Sequence, residues 1–211
     1  MTKIKICGIK RIEDIQYVNK YLPDYIGFVF AESKRRVTVD QVMKLRNELD
    51  VRIKAVGIFV NEDVDKVIEI SKKCRLDCLQ LHGDEDETYV ENLKDLLNSH
   101  LVKDVEIWKA IRVKDESSIS LLKSYKVDAF LLDTFVEGAY GGVGMVFDWS
   151  LAKLAKPYGK IFVAGGLNIE NVRAVVEDVS PYGVDVSGGV EIDGYKDESK
   201  IRSFVEKVKE G

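Results

Sequence analysis

The chain is poor in several residues that would commit a protein to a class: its 211 residues include 3 cysteines, 3 prolines, 2 histidines and 2 tryptophans. An odd, small number of cysteines argues against a disulfide framework. So few prolines, with no low-complexity stretch, leave no Pro-rich hinge, and residues 1–211 read as one domain. No run approaches the ~18 apolar residues of a membrane span, and the first residues lack the apolar region of a secretory signal. A cytoplasmic protein with no membrane partner is the expectation. Charge of one sign is also missing: the net charge is −4 and the densest basic cluster is the short "ESKRRV". That excludes the basic stripe a nucleic-acid backbone requires, so no nucleic-acid partner is expected.

What is present is globular: 45% hydrophobic and 32% charged residues. Short β-branched runs alternate with amphipathic stretches. The strand candidates are "KIKI" (3–6), "YIGFVF" (25–30), "IKAVGIFV" (53–60), "DCLQL" (77–81), "EIWKAI" (106–111), "DAFLLD" (128–133), "KIFVAG" (160–165) and "GVDVSG" (183–188). Between them, apolar positions recur at helical spacing, as at Val64, Val67 and Ile68, or Ile201, Phe204, Val205 and Val208. Thr38, Asn61, Asp148 and Asn168 stand where helix N-caps are expected. Strict alternation of strand and helix predicts an α/β protein, a single (β/α)8 TIM barrel, with an open doubly wound sheet as the alternative. The glycine-rich "TFVEGAYGGVGMVF" (134–147) is the longest irregular piece and is read as an active-site loop.

Barrel enzymes carry their sites at the C-terminal ends of the strands. Strand alternation puts Lys3, Lys5 and Cys7 on one face and Ile4 and Ile6 on the other. Lys5 then lies inside the barrel and needs a partner, and Asp185 on the eighth strand is the candidate, either as that partner or as a substrate contact. Cys7 shares a face with lysines, ends its strand and precedes a glycine that lets another group approach. A thiolate there suits a nucleophile or a base. Gln80 and His82 finish the fourth strand, His82 as a hydrogen-bonding or positioning group. Cys74, Cys78 and His82 recur every four residues but cross a helix-to-strand junction, so no metal site is expected. The other histidine, His100, reads as a loop residue. Asp133 closes an apolar run, and apolar surroundings favour the protonated carboxyl of a general acid; capping the next segment is the competing role. Glycines after strands 7 and 8, in "AGGLNIENV" and "SGGVEIDG", offer unobstructed backbone N–H groups for a phosphorylated small molecule.

Taken in order, "KICGI", "GFVF" followed by "SKRRV", "VGIFVN", "QLHGDE", "LLDT", "YGGVGMVFDW", "AGGLNIENV" and "GVDVSGGVE" closely resemble the phosphoribosylanthranilate isomerase family of tryptophan biosynthesis over nearly the whole chain. The resemblance implies a cofactor-free Amadori rearrangement with Cys7 as general base and Asp133 as general acid. It implies that Arg35 holds the anthranilate carboxylate; Gln80, His82 and Asp185 are expected beside the substrate from their places at the strand ends. Gly142, Gly165, Gly166, Ser187, Gly188 and Gly189 form the expected phosphate-binding set. Two departures matter. The segment "AESKRRV" is one residue shorter than the family's form and lacks its proline, which leaves Arg36 as a second candidate for the carboxylate. "SGGVE" stands for the family's "SSGVE", so a hydroxyl is replaced by Gly188. A sugar-phosphate isomerase of histidine biosynthesis and a non-catalytic phosphate-binding barrel are the alternatives, and oligomeric state is left as monomer or homodimer.

Overall fold

The computed structural model describes residues 1–99, 104–134 and 149–210. His100, Gly142, Asp148 and all of the 134–147 stretch beyond Thr134 lie outside the described residues.

Strands β1 (Lys3–Cys7), β2 (Tyr25–Val29), β3 (Lys54–Phe59), β4 (Cys78–Leu81), β5 (Glu106–Val113), β6 (Ala129–Thr134), β7 (Ile161–Val163) and β8 (Gly183–Val186) pair in parallel and close into a barrel in chain order. Between and after them run α1 (Ile12–Tyr21), α2 (Val39–Glu48), α3 (Val64–Cys74), α4 (Glu87–Ser99), α5 (Glu116–Ser120), α6 (Ser150–Ala155), α7 (Val172–Val179) and α8 (Glu198–Glu210). The expected barrel is therefore the observed one. Closure pairs β8 with β1 in a register that sets Lys5 opposite Asp185.

Two apolar layers follow from the alternation of side chains along each strand. Ile4 and Ile6 of β1 face outward into the layer shared with the helices, where Val67 and Ile68 of α3 and Ile201, Phe204, Val205 and Val208 of α8 are buried. Each such side chain contributes about 1.5–3 kcal/mol on burial. The inner layer is sealed below the site by Tyr25, Trp108 and Phe162, whose rings stack or meet edge to face at centroid distances of 4.5–5.6 Å. Gly183 makes room for that seal, since a Cβ there would fall 2.3 Å from the Phe162 ring.

The helix starts correct two of the sequence expectations. Thr38 does cap α2, accepting from the Gln41 amide at 3.2 Å within a capping box. Asn61 does not cap α3. Asp63 does, accepting from the amides of Asp65 and Lys66, while Asn61 takes a left-handed φ of 50° and binds the Asp84 amide at 2.7 Å. Asn168 likewise stops short of α7, which starts after Asn171; its side chain accepts from the Glu170 and Asn171 amides and shapes the turn before the helix. In both cases a capping residue type sits within a few residues of the true start, and the loop's own hydrogen bonds decide which one serves.

A short antiparallel hairpin, β9 (Glu191–Ile192) and β10 (Tyr195–Lys196), follows β8 and was not foreseen from the periodicity. It is strapped to the start of α1: Arg11 donates to the Lys196 carbonyl at 3.0 Å, and Lys10 and Arg11 stack on the Tyr195 ring. The strap hangs the hairpin over the mouth of β1.

Candidate active site

The C-terminal mouth collects ionisable side chains from β1, the loop after β2, β4, β6, β8 and the hairpin. On β1, Lys5 is fully buried and donates to Asp185 Oδ1 at 2.9 Å. Burial works against its ammonium, but Asp185, with Cys7 adding to it, more than offsets that and raises its pKa. The expected pair is present, and breaking it would leave a buried charge at a cost of about 3–5 kcal/mol.

Cys7 lies one alternation further along the same face, half-buried against the inner layer. Gly27 on β2 opens the space for its sulfur, because a Cβ there would come within 2.9 Å of Sγ. Burial pushes the Cys7 thiol up and Asp185 adds to that; the Lys5 and Lys196 ammonium groups offset it only in part, so its pKa stays above the ordinary thiol value. A thiolate formed here is a strong base with positive charge at hand. By contrast Cys74 is packed in the outer layer and Cys78 in the inner one, so they share no site with each other or with His82 at the mouth.

Gly8 answers why a glycine follows the cysteine. Its φ is +84°, and the stem of Arg35 lies across it, so that a Cβ would meet Arg35 Cδ at 2.4 Å. Arg35 is thereby laid into the mouth while Arg36 is exposed. Its guanidinium is held edge-on by Glu191 of the hairpin through two bonds of 2.7 Å, from Nε and Nη2. Glu191 also takes 2.7 Å from Lys196 Nζ, which is buried and donates in addition to the Ser187 carbonyl at 3.0 Å. Ser187 Oγ in turn donates to the Cys7 carbonyl at 3.0 Å. Glu191 and Lys196 are site residues that the sequence reading missed. Glu191 was visible within "SGGVE", but nothing in the spacing showed that a hairpin would turn Lys196 inward.

Across the mouth, Asp133 ends β6 and is 6% exposed. Its Oδ1 accepts the Thr134 amide at 2.8 Å. Gly165, with a φ of +77°, is needed for that close approach, since a Cβ would fall 2.2 Å from Thr134 Oγ1 and 3.0 Å from Asp133 Oδ1. His82 Nε2 stands 3.3 Å from Asp133 Oδ2, and Gln80, buried on β4, reaches His82 Nδ1 at 2.7 Å. The glycine loops after β7 and β8 meet: Asn168 and Gly189 form a parallel bridge, and a Cβ on Gly189 would strike the Leu167 carbonyl at 2.0 Å. Gly166, Ser187, Gly188 and Gly189 are thus brought to one side of the mouth.

A closed barrel that sets a thiol and a carboxyl at the ends of different strands, with an arginine and bare backbone beside them, is a (β/α)8-barrel enzyme equipped for general acid–base chemistry. Residues 4–207 match the family described as N-(5'phosphoribosyl)anthranilate (PRA) isomerase, and the chain belongs to that family. A relative named N-(5'-phosphoribosyl)anthranilate isomerase from Acetivibrio thermocellus is 56% identical over 100% of this chain and 97% of its own length. The crystal structure of phosphoribosyl anthranilate isomerase from Thermotoga maritima superposes with a TM-score of 0.87 at 32% identity, over 100% of both chains. A further crystal structure of the isomerase, in complex with reduced 1-(o-carboxyphenylamino)-1-deoxyribulose 5-phosphate, gives a TM-score of 0.84 at 31% identity, again over 100% of both chains. The protein is an isomerase of tryptophan biosynthesis.

Proposed function

We propose that the barrel converts N-(5-phosphoribosyl)anthranilate to 1-(2-carboxyphenylamino)-1-deoxyribulose 5-phosphate with Asp133 as general acid and Cys7 as general base. Asp133 protonates the furanose ring oxygen, the bond from that oxygen to C1 breaks, and the anthranilate nitrogen lone pair completes an iminium. Cys7 thiolate then takes the C2 proton, and the electron pair moves into the C1–N system to give an enolamine that tautomerises to the ketone. Atoms and electrons balance without an external oxidant or reductant, so one acid and one base suffice. The carrying observation is the placement of Cys7 and Asp133 on separate strand ends around one mouth, each in a pocket opened by a glycine, Gly27 and Gly165.

Arg35 receives the anthranilate carboxylate. Glu191 occupies its Nε edge, and the remaining N–H groups of the fork stay available for a second carboxylate. The phosphate lies between Gly166 and Gly188–Gly189, on backbone N–H groups, with Gly165 and Ser187 alongside; binding a remote dianion there orients the sugar. Gly142 is assigned to the same function on the sequence resemblance alone. Asp185 serves as the partner of Lys5 through Oδ1.

The oligomeric state is proposed as monomer or homodimer, in line with a Thermotoga maritima relative described both as dimeric and as generated monomers. Among the described residues no helix is long and apolar enough to cross a membrane.

Turnover followed by loss of the substrate's anthranilate fluorescence tests the roles. Cys7→Ser and Asp133→Asn should each lower kcat by about 10²–10⁴ with little change in KM. Cys7→Asp restores a carboxylate base and should recover part of the loss. A Cys7→Ser enzyme as active as the parent, or a covalent adduct on Cys7 during turnover, would overturn the base assignment.

A further inference from the structure

His82 and Gln80 point to a role other than the substrate contact expected from sequence. Gln80 is 1% exposed on β4, and its amide nitrogen lies 2.7 Å from His82 Nδ1. As the Gln80 amide is turned here, its nitrogen faces Nδ1 and its Oε1 has no partner among the described residues; in that orientation the amide donates, Nδ1 is the lone-pair nitrogen and the ring proton resides on Nε2. That nitrogen is buried, has no hydrogen-bond partner among the described residues, and faces Asp133 Oδ2 at 3.3 Å. The carboxylate's other oxygen already accepts the Thr134 amide. His82 Nε2 therefore stands beside the second oxygen of the proposed acid without a formed hydrogen bond, and a small turn of the ring would close one.

The loop that carries His82 is built to hold it in this place. Its amide donates to the Phe59 carbonyl at 2.8 Å. Just beyond it, Glu85 accepts from the Gly83 amide at 2.9 Å, the Asn61 amide at 2.8 Å and buried Lys109 at 2.8 Å, while Lys109 also donates to the Gly83 carbonyl at 2.9 Å. Such a buried ion pair, with its remaining hydrogen-bonding capacity filled, fixes one arrangement of the loop.

We infer that Gln80 and His82 form a tautomer-setting relay that positions Asp133: Gln80 holds His82 as the neutral Nε2–H tautomer, and His82 closes its hydrogen bond on Asp133 Oδ2 as the acid delivers its proton. The donor stabilises the carboxylate left behind, a charge present only after proton transfer, so the effect falls on kcat rather than KM. The inference rests on Asp133 being the acid. His82 is a positioning residue that acts through Asp133.

The tautomer can be read directly, because the chain has only 2 histidines. In protein labelled with ¹⁵N-histidine, long-range ¹H–¹⁵N correlation should show His82 with a protonated Nε2 and a bare Nδ1, the His82→Gln spectrum identifying which set is His82. Gln80→Leu should weaken that preference. A protonated Nδ1 in the unmodified protein would overturn the relay. In kinetics, His82→Leu should lose about 10–100-fold in kcat, the weight of a hydrogen bond to a charged group, with KM within about twofold. His82→Gln, whose amide N–H reaches about as far as Nε2, should recover most of it, and His82→Asn, which is shorter, should not. Equal kcat in all three, or a loss confined to KM, would refute the inference and return His82 to the substrate. Asp133→Asn separates the two claims: an unchanged kcat there removes the acid assignment, whereas the tautomer readout stands or falls without it.

Discussion

Gly8→Ala is the substitution in which backbone, packing and substrate binding meet. An L-residue at φ +84° carries a penalty of about 1–2 kcal/mol for its left-handed backbone. The new methyl would also fall 2.4 Å from Arg35 Cδ and 3.2 Å from Ser187 Oγ. Arg35 cannot simply swing aside, because Glu191 grips its guanidinium through two bonds of 2.7 Å. Alanine therefore forces a choice between shifting strand β1, and with it Cys7, and breaking the Arg35 clamp. The backbone term alone should lower Tm by about 2–8 °C in a chain of this length. Displacing the guanidinium should weaken the proposed charge-assisted contact to the anthranilate carboxylate, worth about 1.5–3 kcal/mol, and so raise KM by about 10–100-fold. Thermal melts and steady-state fluorescence assays read the two effects separately. Adding Glu191→Gln loosens the clamp, so the double variant should be less impaired than the sum of the singles, by about 0.5–3 kcal/mol. A Gly8→Ala enzyme with the parent's Tm and KM would show that Arg35 neither packs on Gly8 in solution nor holds the carboxylate.

Three other measurements bear on the site. Arg35→Lys should raise KM by about tenfold or more because a lysine cannot engage a carboxylate bidentately, whereas Arg36→Lys should leave KM near the parent's; the reverse result would move the carboxylate to Arg36. Burial alone would raise the Glu191 carboxyl, but Arg35 and Lys196 outweigh it and bring it down to about 2. Glu191 thus contributes stability that is fully present above pH ~4.5 and is lost as pH falls through about 2, on the order of 1–2 kcal/mol after solvent screening, and urea melts should show the gap between parent and Glu191→Gln narrowing only across that window. Gly189→Ala, which drives a methyl into the Leu167 carbonyl, should weaken inhibition by inorganic phosphate; unchanged inhibition would place the phosphate elsewhere.

The barrel was legible because its determinants are local and repeated. Ile4 and Ile6 alternate with Lys3, Lys5 and Cys7, and that period of two already separates the helix-facing layer from the interior. Closure then made Asp185 the neighbour of Lys5, as the register confirms. Cap positions were less legible, since Asn61 and Asp63, or Asn168 and Asn171, are the same kind of capping residue a few positions apart, and they are separated by the Asp84 amide on Asn61 from another loop and by the Glu170 and Asn171 amides on Asn168 within its own turn. The hairpin was invisible for a stronger reason. Its strands have 2 residues each, too short for any period, and it is held by Arg11 and by stacking on Tyr195 from across the fold.

What that hairpin adds changes the electrostatics of the thiol. Burial is the largest influence on Cys7 and keeps its thiol raised even with the hairpin in place, and the Lys5 ammonium beside it is already matched by Asp185. With the hairpin, Lys196, Glu191 and Arg35 join the cluster through contacts of 2.7 Å, so that three cations stand against two anions around the sulfur. A surplus of one positive charge in a shielded mouth lowers the work of making a thiolate where desolvation opposes it. It also favours the entry of one carboxylate. Under the proposed roles, the substrate's carboxylate and the Cys7 thiolate draw on the same surplus, and the second negative charge becomes tolerable once the iminium supplies a cation of its own. The proposed scheme then requires ring opening by Asp133 before proton removal by Cys7, because the iminium is the cation that the thiolate faces.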